Sequence, residues 1–166
     1  MDYGTGSWSG EEWLDTVTVA PGLVIKKQSI GVANSSTGFS EGIDGILGVG
    51  PVDLTNGTVS DMKTIPTVSD NLFKQRKISE EVLGVYFVPS SENSTTGKLT
   101  FGGYDDSVIT SPVNYVPLTK TSPASEYWGI NGSVSYDGNT ILSLTAGIVD
   151  TGTTLVLLAT GERHPN

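Results

Sequence analysis

Turn-forming residues punctuate this chain at short intervals, and between them the apolar residues keep a two-residue rhythm. That pairing restricts the fold to short strands joined by tight turns. In "WLDTVTVA", Trp13, Val17 and Val19 are set against polar neighbours, and "GVYFVP", "GKLTFGG", "VNYVPL", "YWGINGSVSY" and "AGIVDTGTTLVLL" are further strand candidates. "YDGN" at Tyr136 to Asn139 sets Asp-Gly between two such runs, as a tight hairpin with positive φ at its central residues requires. One helix is expected, Val68 to Lys77, with Ser69 or Asp70 as cap, Val68, Leu72 and Phe73 on one face, and Gln75 to Lys77 in the last turn. "PVDLTNGTVSDMKTIP" reads as a polar surface loop and "PSSENSTTGK" as a hairpin tip. The class is all-β.

Hydrophobic residues make up 36% of the 166 and charged residues 16%, enough apolar content for a core and too little charge for a disordered chain. The formal charge of −9 argues against nucleic acid as a partner, because phosphate binding needs a concentrated positive face. The one basic run is "KQRK", Lys74 to Lys77. No apolar stretch is long enough to span a bilayer, so no membrane partner is expected. The absence of cysteine excludes thiolate metal sites, disulfides and redox motifs, and His164 stands alone with no triad or metal cluster to join. Four glycosylation sequons, at Asn34, Asn56, Asn93 and Asn131, lean toward the secretory route, although Met1 is followed by "DYGTGSWSG" and not by a signal peptide.

An isolated Asp-Thr-Gly, such as Asp150-Thr151-Gly152, is more often a turn or cap aspartate than a catalytic one. Its context reverses that. From residue 3 onward the chain carries "YGTGS", "DTVTV", "DGILGVGP", "NLFKQRKISEEVLGVYF", "GKLTFGGYD", "NYVPL", "YWGI" and "GIVDTGTTL", in that order. This series resembles a pepsin-type aspartic protease, most of all its secreted fungal members, from the flap hairpin to the second catalytic Asp-Thr-Gly. The resemblance runs from Tyr3 to about Leu158. It implies a bilobal all-β acid-protease fold with an incomplete N-lobe and an incomplete C-lobe: residues 1–108 as the remainder of the N-terminal lobe, 109–160 as the start of the C-terminal lobe, and 161–166 as a divergent tail. In such enzymes the first Asp-Thr-Gly precedes the flap, so it is expected before Met1. Asp15-Thr16-Val17 has valine where the turn needs glycine and is not a hidden second site. Gly161-Glu162 could be encoded by GGTGAG, which resembles a splice donor, so intron read-through is one account of the tail.

The resemblance implies an endopeptidase that acts on extended polypeptides, needs no metal or organic cofactor, and resides outside the cell or in a vacuole. Two facing carboxylates share a proton and hold a water, one as base and one as acid; aspartic proteases are a standard worked case of this pairing. Asp150 is the catalytic candidate, with Thr151, Gly152 and Thr153 supporting its loop: Gly152 for a sharp turn and close approach, Thr153 to hold the carboxylate. Tyr3, Gly4, Thr5 and Gly6 are the flap candidates, Gly6 at the hairpin tip. Phe39, Ile43 and Ile46 are expected in the wall of a substrate pocket, but would serve equally as core. Trp8, Trp13 and Trp128 read as core or rim. Two rivals stand beside this reading. One is a non-catalytic pepsin-fold binding protein or truncated gene product, and the other a secreted β-sandwich that stacks carbohydrate on exposed aromatics.

Overall fold

The structure, a computed structural model, describes residues 6–39, 42–89 and 96–159. They fall into two compact units, Met1–Val113 and Asn114–Asn166. Every sheet among the described residues is an antiparallel two-stranded hairpin.

The first hairpin is the longest. β1 (Ser7–Ala20) pairs with β2 (Leu23–Thr37) around Pro21-Gly22, where Gly22 takes φ 83°. Proline followed by a positive-φ glycine is the natural centre of a tight turn. Between Asp15↔Gln28 and Val17↔Ile25 the ladder slips, with Lys26 and Lys27 lying opposite the single Thr16. Lys27 absorbs this bulge at φ 56°, in the left-handed region. β2 was absent from the strands expected from sequence. Its outer half, residues 30–37, is exposed on both faces, so burial imposes no alternation there.

Helix α1 spans Val68–Lys74, three residues shorter than expected, and its cap is Thr67. The Thr67 hydroxyl accepts from the Asp70 N–H at 3.3 Å, and the Asp70 carboxylate accepts from the Thr67 N–H at 2.6 Å. Asp70 is therefore the third residue of a capping box and not the cap itself. Burial acts to raise the Asp70 carboxyl, but the Thr67 N–H, the Glu81 carboxyl and the Thr67 hydroxyl together hold it below its ordinary range. α1 packs Val68 and Leu72 against Ile25 of β2, with Val19, Leu23, Ile78 and Phe101 closing around them. Phe73, expected on that face, points elsewhere and is 46% exposed; the buried position beside Leu72 is taken by Asn71. The Asn71 side-chain amide donates to Gln28 Oε1 at 3.0 Å, so a polar pair is satisfied beside the core.

β3 (Leu83–Phe87) and β4 (Gly97–Phe101) form the second hairpin. The expected surface loop before α1 is pinned, since Thr55 Oγ1 accepts the Ile65 N–H at 2.7 Å and Ile65 is buried. In the second unit, β5 (Gly129–Tyr136) and β6 (Asn139–Ile148) turn at Asp137-Gly138, both at positive φ (49° and 75°), as the Asp-Gly signal requires. One expected strand does not form, and "AGIVDTGTTLVLL" forms only in its first three residues, which end β6. "VNYVPL" makes a single bridge, Leu118↔Ile130, and Pro117 has no N–H to extend it. Residues 154–158 have no pairing partner among the described residues.

Candidate active site

β6 ends by delivering Asp150. Ile148 pairs with Gly129, and the Val149 N–H donates to the Trp128 carbonyl at 2.9 Å, which holds the backbone against β5 up to the residue before the aspartate. There the ladder stops and the chain folds over its own carboxylate. The Gly152 N–H donates to Oδ1 at 2.9 Å and the Thr153 hydroxyl donates to Oδ2 at 2.5 Å, so both oxygens are held. The Thr153 bond, with the Gly152 amide second, keeps the Asp150 carboxyl below its ordinary range against a small opposing effect of burial. The carboxylate is nevertheless exposed, as are residues 151–159 after it.

Gly152 lies in the turn that follows the strand, at a φ outside the left-handed region. A Cβ there would lie 3.3 Å from Asp150 Oδ1. The amide can approach the carboxylate because no side chain intervenes.

Of the flap candidates, Tyr3, Gly4 and Thr5 lie outside the described residues. Gly6 is buried at the entry to β1, where a Cβ would meet the Thr37 carbonyl oxygen at 2.9 Å and the Phe39 ring at 3.0 Å. Phe39, Ile43 and Ile46 line one cavity of about 520 Å³ within the first unit, together with Trp8, Leu47 and Val68. Ile43 and Ile46 are 55% and 53% exposed there and are not part of the packed core. Trp8 was read from sequence only as core or rim. Its signal lay in Gly31, across the hairpin, where a Cβ would fall 2.0 Å from the indole ring. Asn34, Asn56 and Asn131 are exposed, and Asn93 lies outside the described residues. Asn131 accepts from the Thr119 hydroxyl at 2.8 Å. No cluster of three or more potential metal ligands occurs among the described residues.

Both oxygens of one carboxylate are thus held just past the end of a strand, in a chain of antiparallel hairpins. Residues 1–163 match the family model for eukaryotic aspartyl proteases, and the chain belongs to that family. It is 59% identical over 163 residues to polyporopepsin of Irpex lacteus, covering 96% of this chain and 47% of that protein. Rhizopuspepsin-1 of Rhizopus niveus is 37% identical over 95% of this chain and 39% of its own length, and mouse (Mus musculus) cathepsin E 33% over 94% and 38%. The crystal structure of the aspartic proteinase from Irpex lacteus superposes with a TM-score of 0.91 at 57% identity, over 96% of this chain and 48% of that one. The fold is therefore pepsin-like, and the chain spans about half the length of the relatives it matches.

Proposed function

We propose that this chain carries the second of the two catalytic aspartates of an endopeptidase, Asp150, and is inactive without the first. The observation that carries this is the double hold on the Asp150 carboxylate by the Gly152 N–H and the Thr153 hydroxyl. Fixing both oxygens sets the plane of the carboxylate before substrate arrives, as positioning a water for attack demands. One carboxylate cannot be both base toward that water and acid toward the peptide carbonyl. The partner must come from a second Asp-Thr-Gly, and Asp150 heads the single one in these 166 residues.

The substrate class is extended polypeptide. The cavity lined by Phe39, Ile43 and Ile46 is the candidate subsite for an apolar side chain, with Tyr3 to Gly6 as the covering flap. Exposed sequons at Asn34 and Asn56 support a glycosylated protein working outside the cell or in a vacuole. No helix among the described residues is long and apolar enough to cross a membrane.

The test joins this chain to an amino-terminal half that supplies the first Asp-Thr-Gly and follows cleavage of a fluorogenic peptide at acidic pH. The joined protein should turn over and the chain alone should not. Asp150→Asn should then lower the rate by about 10²–10⁴-fold, the usual worth of a positioned acid or base, with the fold unchanged by circular dichroism. Undiminished turnover in that variant would remove Asp150 from the mechanism.

A further inference from the structure

Six of the nine basic residues lie between positions 26 and 77, in a chain of net charge −9. Lys26 and Lys27 belong to β2 and Lys74 to the end of α1, and all three line a cavity of about 630 Å³ whose apolar surfaces come from Trp13, Met62 and Ile65. Their proximity is built. The Gln75 side chain accepts the Lys26 N–H at 3.0 Å and donates to the Lys26 carbonyl at 2.9 Å, so an amide side chain takes the place of a pairing strand and ties β2 to the helix end. The bulge that puts two residues opposite Thr16 also brings a second lysine into the lining.

The ordinary explanation of Lys74, Arg76 and Lys77 is favourable interaction with the helix C-terminus. It does not reach Lys26 and Lys27, which come from another element. The ion pair present among the described residues is Lys98 with Asp105, elsewhere in the unit; Lys26, Lys27 and Lys74 are exposed and take no part in one. The acid in the lining, Glu12, is already engaged by the Ser29 hydroxyl at 2.5 Å. The lining therefore carries two more positive than negative charges over an apolar floor.

We propose that the groove between the β1–β2 hairpin and the end of α1 binds an acidic, extended peptide segment whose apolar side chains seat on Trp13, Met62 and Ile65 while its carboxylates meet Lys26, Lys27 and Lys74. Charge complementarity selects the acid. The concave apolar floor favours a peptide over a sulfated polysaccharide, which has no apolar side chains to offer, and over a bilayer, whose surface does not enter a groove. A volume of this size lies in the range of small-ligand sites. The proposal concerns binding and does not depend on catalysis.

The test titrates the intact chain at pH 7 with a fluorescein-labelled octapeptide of alternating Glu and Leu, its Gln-for-Glu analogue, anionic phospholipid vesicles and heparin. The acidic peptide should bind, weaken as salt rises, and outcompete the analogue. Lys26→Glu with Lys74→Glu should weaken it by about tenfold or more, since two attractive pairs are lost and the reversal adds repulsion. Lys120→Glu, an exposed lysine of the other unit, should leave it unchanged. If the double reversal disturbs the circular dichroism spectrum, Lys26→Gln with Lys74→Gln replaces it, with a smaller loss expected. Equal affinity for the glutamine analogue, equal loss in Lys120→Glu, or binding confined to vesicles or heparin would overturn the proposal.

Discussion

Leu72 and Phe73 are adjacent on α1, similar in hydrophobicity, and opposite in fate. Leu72 is fully buried against Ile25 and Val68, whereas Phe73 is 46% exposed. Replacing Leu72 by alanine removes three methyl or methylene equivalents and leaves a cavity that the short helix and β2 close only in part, so the cost should be about 3 kcal/mol, within the ~2–5 kcal/mol typical of such sites. Phe73→Ala loses only a half-buried ring and should cost about 1 kcal/mol or less, given ~1.5–3 kcal/mol for full burial of such a side chain. A helix of seven residues has no stability of its own, so the loss falls on the packing of α1 against the hairpin. Urea denaturation followed by circular dichroism would read the difference of about 2 kcal/mol, since a slope of roughly 1–3 kcal/mol per molar converts it into midpoints about 0.7–2 M apart. Equal losses, or a larger loss for Phe73→Ala, would mean that the helix presents a different face to β2 and would refute the core described above.

Two further outcomes follow from the geometry. Thr153→Val removes the largest cause of the lowered Asp150 pKa, so the carboxyl should titrate at higher pH than in the parent when followed by carboxylate NMR; because the folded value is depressed, any stability tied to it is present above the unfolded pKa and disappears as pH falls through the folded one. An unchanged midpoint would show that the Thr153 bond is not made in solution. Lys27→Asn should raise stability by roughly 0.5–1 kcal/mol in chemical denaturation, because asparagine tolerates the left-handed conformation better than lysine, and a loss would indicate that the bulge is not at residue 27.

Legibility in the sequence followed how locally each feature is encoded. Asp137-Gly138 specifies its turn through its own φ angles, and the hairpin formed there. The Pro21-Gly22 turn carried an equally local signal, which would have located β2 even though burial imposes no alternation on β2's outer half. The helix was visible as a periodic segment and its cap was equally local, a Thr-x-x-Asp box from Thr67 to Asp70, but its buried face depended on Asn71 finding Gln28, 43 positions away. A long-range amide pair leaves no periodic trace. The Asp150 loop was legible in residue type, and the Thr153 bond was anticipated, whereas the Gly152 N–H bond to the carboxylate was not. "VNYVPL" and residues 154–158 have strand-like composition without a ladder, because a strand is a relation between two segments and composition describes only one.

The same consideration governs how these 166 residues behave by themselves. Ile46 and Leu47 are exposed in the first unit; in the second, the segment after Asp150 places Leu155, Val156, Leu157 and Leu158 in solvent, with Val156 89% exposed. Four consecutive large apolar residues without a ladder are an aggregation hazard, for they combine unburied apolar area with unpaired backbone groups. The packed centre of the first unit, by contrast, rests on Ile25, Val68 and Leu72. Concentration-dependent association is therefore expected in sedimentation, together with no inhibitor-sensitive peptide cleavage at acidic pH, because a single Asp-Thr-Gly offers one carboxylate to a two-carboxylate reaction. A homodimer that brought two copies of Asp150 face to face would evade the second expectation. It would show itself as a discrete two-fold species with turnover blocked by a statine-type inhibitor, and that result would overturn the reading of this chain as half of a catalytic pair.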